Sequence, residues 1–276
     1  MGDLFCGWYF RCQSDTQTLA VIPAIHGREC SVQLITDKGN WNVPLPRRNA
    51  KMHRRLPEAV LESNLFSRDG LKLDLHTDTL SAQGLLRFGR LTPLHYDIMG
   101  PFKYVPFMEC RHKVISMNHS VNGSVRINGE DYIFQNARGY IEGDRGRSFP
   151  ARYAWSQCHL HEGSVMLSVA DIPFGFLSFT GIICAIVFQG KEYRIASYLG
   201  ASAQIGEKQV ILRQRELELT ARLIEQKPLP LNAPSLGKMS RTIHESVSCR
   251  AYYRFRIGGE TIFEVESPNA AFEYEY

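Results

Sequence analysis

In several stretches of this chain apolar and polar residues alternate with a period of two, the spacing that sends successive side chains to opposite faces of a β-strand. Within residues 216–223, Leu217, Leu219, Ala221 and Leu223 share one face while Glu216, Glu218, Thr220 and Arg222 share the other. The same reading predicts strands at 18–25, 30–36, 71–76, 80–88, 114–119, 124–128, 151–161, 164–170 and 181–188. Further strands are expected at 193–198, 209–212, 216–224, 250–257 and 261–266. Asn122-Gly123, Asn128-Gly129, Gln189-Gly190 and Gly258-Gly259 signal tight hairpins. Helical spacing is confined to a short helix expected at 56–66, opening at Pro57 with Glu58 in its first turn, and a turn near 233–239.

So many strands joined by short turns exceed what one open sheet tolerates, which predicts an all-β fold closed into two antiparallel barrels with few short helices. An antiparallel barrel of about eight strands fits one small ligand in its interior. Pro93, Gly100, Pro101 and Pro106 interrupt pairing over 91–106, so the expected division is an N-terminal barrel at 1–112 and a C-terminal barrel at 113–276. The three prolines of 225–238 (EQKPLPLNAPSLGK) predict a long surface loop.

Composition narrows the function classes. With 44% hydrophobic residues among 276, the chain can bury a sizeable core. A net charge of +4 is slight for that length and argues against a nucleic-acid partner. The most apolar stretch, 172–188, is broken by Pro173, Gly175, Ser178, Thr180 and Gly181, so no stable membrane insertion is expected. Seven cysteines without CxxC spacing and an opening (MGDLFCGWYF) unlike a signal peptide point to reduced thiols and a cytoplasmic location. The pattern assigns no oligomeric state.

Candidate chemistry concentrates in two segments. Over 139–161, Glu142, Asp144, Arg145 and Arg147 surround Gly143 and Gly146 in an expected loop between strands. In the strand that follows, Tyr153, Trp155, Gln157, His159 and His161 share a face suited to a pocket wall, opposite Arg152, Ala154, Ser156, Cys158 and Leu160. Buried core and a salt-bridged loop account for the same residues equally well. Over 102–119, Glu109, Arg111, His112 and His119 lie among Phe102, Tyr104 and Phe107. A carboxyl in such apolar surroundings stays protonated more readily, because burial disfavours the anion. An exterior Glu109–Arg111 pair is the plainer reading. His159 and His161 could ligate a metal together, with His112, His119 or Glu142 as a third ligand, but two histidines without a spaced partner form a weak motif and no metal is expected. There is no GxSxG elbow, GxGxxG loop or GxxxxGK[ST] loop, so hydrolase, dinucleotide and nucleoside-triphosphate chemistry have no visible seat. The basic run 47–55 (RRNAKMHRR) could meet acidic headgroups, although a solvated loop explains it more simply.

Three blocks resemble the tocopherol cyclase family. FCGWYFR at 5–11 is similar to its EGWYF[KR] signature, and Glu142, Gly143, Asp144, Arg145, Gly146, Phe149-Pro150, Trp155 and Gln157-Cys158-His159 follow its central segment. TIFEVESPNAA at 261–271 is similar to its closing strands. Arg145 stands where the family has tryptophan, His159 where it has asparagine, and Cys6 where it has an acid. The resemblance implies two tandem lipocalin-like (calycin) barrels and a reaction that protonates the alkene of a prenylated quinol so that the phenolic oxygen closes a ring, without a cofactor. It marks Glu142 and Asp144 as catalytic candidates. Trp8, Tyr9, Glu109, His112, His119, Arg147, Tyr153, Trp155, Gln157 and His159 are the ligand-binding candidates. The leading expectation is a cofactor-independent enzyme that cyclises, hydrates or isomerises a lipophilic small molecule. A non-catalytic carrier of lipophilic ligands ranks second, and a metal enzyme third.

Overall fold

The computed structural model of the chain describes residues 4–106, 108–174, 177–226 and 228–276; Phe107 and Gly175, named above, lie outside them. The first eleven strands are β1 (Phe5–Gln13), β2 (Thr18–His26), β3 (Glu29–Thr36), β4 (Asn40–Leu45), β5 (Lys51–Met52), β6 (Ala59–Leu61), β7 (Asn64–Ser67), β8 (Gly70–His76), β9 (Ser81–Phe88), β10 (Cys110–Ile127) and β11 (Glu130–Gly146). They pair in the order β4-β3-β2-β1-β11-β10-β9-β8-β7-β6-β5. The remaining strands are β12 (Tyr153–Leu160), β13 (Gly163–Phe174), β14 (Leu177–Phe188), β15 (Lys191–Ala196), β16 (Ser202–Gly206), β17 (Gln209–Gln214), β18 (Leu217–Glu225), β19 (Leu229–Ser235), β20 (Lys238–Ile257) and β21 (Glu260–Tyr274). Their order is β15-β14-β13-β12-β21-β20-β18-β17-β16, with β19 on β20. Both sheets follow one plan, in which a four-strand meander joins a longer one because its first strand pairs with the last strand of the other. No sequence repeat announces this.

Each sheet curls round an apolar core. Phe10 on β1 and Phe66 on β7 stand five strands apart in the order, about 24 Å in a flat sheet, yet their ring centroids are 5.9 Å apart. Tyr193 on β15 and Phe255 on β20 are also five strands apart and meet at 5.1 Å. The first core gathers Trp8, Phe10, Leu34, Phe66, Leu73, Val125, Phe134 and Ile141, and the second Val165, Ile186, Leu212, Tyr253 and Phe272. The compact units are 1–93 with 108–149 and 231–242, and 94–107 with 150–230 and 243–276. A division at 112/113 would cut β10, whose pairing with β11 runs unbroken across that point.

Several local expectations give way to tertiary pairing. Residues 56–66 form no helix: Ala59, Leu61, Asn64 and Phe66 point inward while Val60 and Leu65 point outward, the alternation of β6 and β7 joined at Glu62 (φ 55°). Pro57-Glu58 is a local helix signal, but the neighbouring β8 offers a hydrogen-bond ladder that this apolar alternation fits better. Asn122-Gly123 is a bulge inside β10, since Gly123 (φ 127°) lies at a register shift and a Cβ there would come within 2.2 Å of the Leu85 carbonyl. The expected 225–238 loop contains β19, which tolerates Pro230 and Pro234 because, among the described residues, its one strand partner is β20. The hairpins at Asn128-Gly129, Gln189-Gly190 and Gly258-Gly259 form as expected.

Candidate functional site

Glu142 and Asp144 lie within β11, not in a loop. Gly139, Gly143 and Gly146 make this stretch read as a loop, but in strands glycine also marks places where another group comes close. Here His119 crowds Gly139 and the Trp8 indole lies over Gly143. β11 is flanked by β1 and β10, so both of its edges are satisfied. Ile141 and Trp8 face the core, whereas Tyr140, Glu142 and Asp144 share the opposite face.

Register then brings partners to those acids. His112 of β10 stands directly across from Asp144, and Tyr9 of β1 directly across from Glu142. The His112 ring bridges the two carboxylates, with Nδ1 3.0 Å from Asp144 Oδ1 and Nε2 3.0 Å from Glu142 Oε2. The first contact is a hydrogen bond. The second is a charge contact at the same distance. Tyr140 donates its hydroxyl to Glu142 Oε2 at 2.5 Å, and the Cys110 thiol donates to Asp144 Oδ1 at 3.3 Å. Glu142 and Tyr140 are buried, while the Asp144 side chain is 21% exposed and forms the open end of the cluster.

Burial alone would push the His112 imidazole down, but the charges of Glu142 and Asp144 outweigh it and hold the ring well above its ordinary value. Burial, then the Glu142 charge, raises the Tyr140 phenol, and burial, then Asp144, raises the Cys110 thiol; both keep their protons. With His112 as imidazolium between two carboxylates, the triad can hold one mobile proton and one net negative charge. His112, Glu142 and Asp144 also form the group whose ligand atoms, all within 4.8 Å of one another, could hold a metal among the described residues. Both imidazole nitrogens already face carboxylates there.

Other expected site residues are placed differently. Trp8 is a core residue, its Nε1 donating to the His53 carbonyl at 3.1 Å. His119 also lies away from the triad's face, against Phe88 and Gly139, with Nδ1 3.0 Å from Ser116 Oγ. Glu109 acts through its backbone, its carbonyl accepting the Arg147 N–H at 2.7 Å, and Arg147 accepts in turn from the Gly237 N–H at 2.8 Å. In the second unit Ala154, Cys158 and Leu160 face the core, and Tyr153, Trp155, Gln157 and His159 are buried on the other face of β12. Tyr153 donates to Glu273 there. The strand stops at Leu160, so His161 sits exposed in the turn and the expected histidine pair shares no single environment. Phe102 packs on Phe179 and Tyr198, and Tyr104 is exposed, so neither jackets Glu109. Sequence reading missed Tyr140 and Cys110. The period-two series Tyr140, Glu142, Asp144 could have found the first, and nothing local marks the second.

Residues 77–174 match the family described as tocopherol cyclase-like. That span holds His112, Glu142 and Asp144 and leaves out both the 5–11 and the 261–271 blocks. A rice (Oryza sativa subsp. japonica) protein named "Probable tocopherol cyclase, chloroplastic" is 25% identical over 127 residues, 44% of this chain. The match spans about a quarter of that relative's length, 27%. A crystal structure of a Nitrosomonas europaea protein, described as "a putative AttH", superposes with a TM-score of 0.61 at 10% identity, over 99% of this chain and 92% of the other. At that identity the likeness bears on fold alone, which is all-β and lipocalin-like. No helix among the described residues is long and apolar enough to cross a membrane.

Proposed function

We propose that this chain, tocopherol cyclase-like over residues 77–174, binds a lipophilic ring-and-chain alkene beside His112, Glu142 and Asp144 and converts it by proton transfer without a cofactor. The observation that carries this reading is the His112 ring held 3.0 Å from a carboxylate on each side. His112 carries the proton to the alkene carbon. Two carboxylates then face the tertiary cation that results, and in a low-dielectric site their attraction for it strengthens. A phenolic oxygen on the same substrate attacks the cation and closes the ring, and the phenol proton returns to the imidazole. Atoms, electrons and charge balance with no redox partner. The same cation captured by water would give hydration, and loss of a neighbouring proton would give isomerisation. Tyr140, hydrogen-bonded to Glu142, positions that carboxylate. The runner-up is a carrier that holds the same class of molecule unchanged.

The test is turnover of a prenylated hydroquinone in deuterium oxide. A product of unchanged composition bearing one solvent deuterium at the former alkene carbon is expected, lost about 10²–10⁴-fold in His112→Gln and Glu142→Gln. Tight binding without conversion assigns the carrier role instead. Conversion unaffected by all of His112→Gln, Glu142→Gln and Asp144→Asn overturns the proton-transfer site.

A further inference from the structure

The outer face of the first sheet carries a feature that the proposed reaction does not use. Val60, Leu65, Lys72, Leu85, Ser124 and Ile133 are successive cross-strand partners on β6 to β11, so they form one row with every side chain on the same face. Lys51 of β5 extends the row at the sheet edge. Their chain neighbours Leu61, Phe66, Leu71, Leu86, Val125 and Phe134 fill the core, which fixes this row as the outward one. The four aliphatic members are 39–50% exposed. Because the sheet curls, the members that face one way together are those on neighbouring strands, Val60, Leu65, Lys72 and Leu85 of β6 to β9, about 14 Å at about 4.8 Å per strand. Isolated exposed aliphatics are ordinary, but a register-aligned series of this length is a contiguous surface.

Charge at the sheet edge says what the surface fits. Residues 47–62 hold five basic side chains against two acidic ones, three of the four net positive charges of the whole chain. Arg47, Arg48, Lys51, Arg54 and Arg55 are all exposed, and Leu56 is exposed beside them. Lys113 of β10 donates to the Arg55 carbonyl at 2.8 Å, adding a further cation to the same turn. Aliphatic side chains in a row that Lys51 extends, at an edge strand flanked by a basic run, match a membrane surface, where apolar groups enter the acyl boundary and cations meet anionic headgroups.

We propose that this face docks on an anionic lipid bilayer. The docking surface is independent of the triad and stands whether the bound molecule is converted or only carried. It would let the protein collect a lipophilic molecule from the membrane that dissolves it.

Co-sedimentation of the full chain with phosphatidylcholine vesicles containing about 30% phosphatidylserine tests this. Binding is expected, weakened in about 0.5 M salt and on pure phosphatidylcholine. Arg48→Ala with Lys51→Ala should lower partitioning roughly thirtyfold, and Leu65→Gln with Leu85→Gln about tenfold. All four positions are exposed, and an unchanged unfolding midpoint verifies that both variants fold. Failure to bind anionic vesicles, or binding indifferent to both double variants, overturns the proposal. Sedimentation velocity showing self-association that Leu65→Gln with Leu85→Gln abolishes, without vesicle binding, assigns the face to a second copy of the chain and overturns it equally.

Discussion

The indole of Trp8 lies so close over Gly143 that a Cβ at that position would stand 2.3 Å from Trp8 Cε3 and 2.9 Å from the Gly7 carbonyl oxygen. The glycine between the two site carboxylates is therefore a contact surface for the core, and the strand it interrupts on paper is continuous in the fold.

Gly143→Ala should cost about 1–3 kcal/mol, because a rigid ring and a backbone carbonyl must both shift. Urea unfolding reads the loss. Since Glu142 and Asp144 flank the site of strain, the variant should also weaken the His112 contacts, visible as altered imidazole resonances.

His112 has a folded value raised above its unfolded one, so the stability it contributes is fully present below about pH 6.5 and is lost as pH rises through the folded value. Unfolding free energy measured from pH 5 to 9 should fall above about pH 6.5 by at most about 1.4 kcal/mol per pH unit from this group. His112→Gln should remove that slope. A ring that already titrates near pH 6.5 in the folded protein would contradict the ion triad.

His119 behaves in the opposite sense. Burial lowers it to about 4, so it is neutral in the fold, and its contribution is intact above the unfolded value near pH 6.5. As pH falls from there toward about 4 the unfolded chain takes up a proton that the folded chain refuses, and stability declines. His119→Gln should flatten acid unfolding in that window and leave the alkaline side unchanged.

In the second unit, Arg194 and Glu192 form a buried pair at 2.7 Å, and the same guanidinium donates to the Tyr96 carbonyl at 2.6 Å. Removing one partner strands a buried charge, so Glu192→Gln and Arg194→Leu should each destabilise by about 3–5 kcal/mol, while the double replacement by leucines should cost far less. Arg194→Leu should also expose residues 94–107 to protease, because Tyr96 stacks on that guanidinium at 4.3 Å.

Local pattern determined a good deal. Alternation with period two is a property of the strand itself, so the all-β class, most strand centres and the hairpins at Asn128-Gly129, Gln189-Gly190 and Gly258-Gly259 could be read without a fold. Glu142 and Asp144 could be marked from the resemblance of their segment, although its glycines made a loop of what is strand β11. Tertiary structure alone decided the rest. Register between β10 and β11 chose His112 as their bridge, which nothing in its sequence neighbours marks, and placed His119, seven residues on, on the opposite face after two register shifts. It made strands of 59–67 and a bulge of Asn122-Gly123, since a ladder from a distant segment outweighs a local helix or turn signal. Propensity acts over a few residues, whereas pairing, curling and the burial of charge depend on which strand arrives alongside.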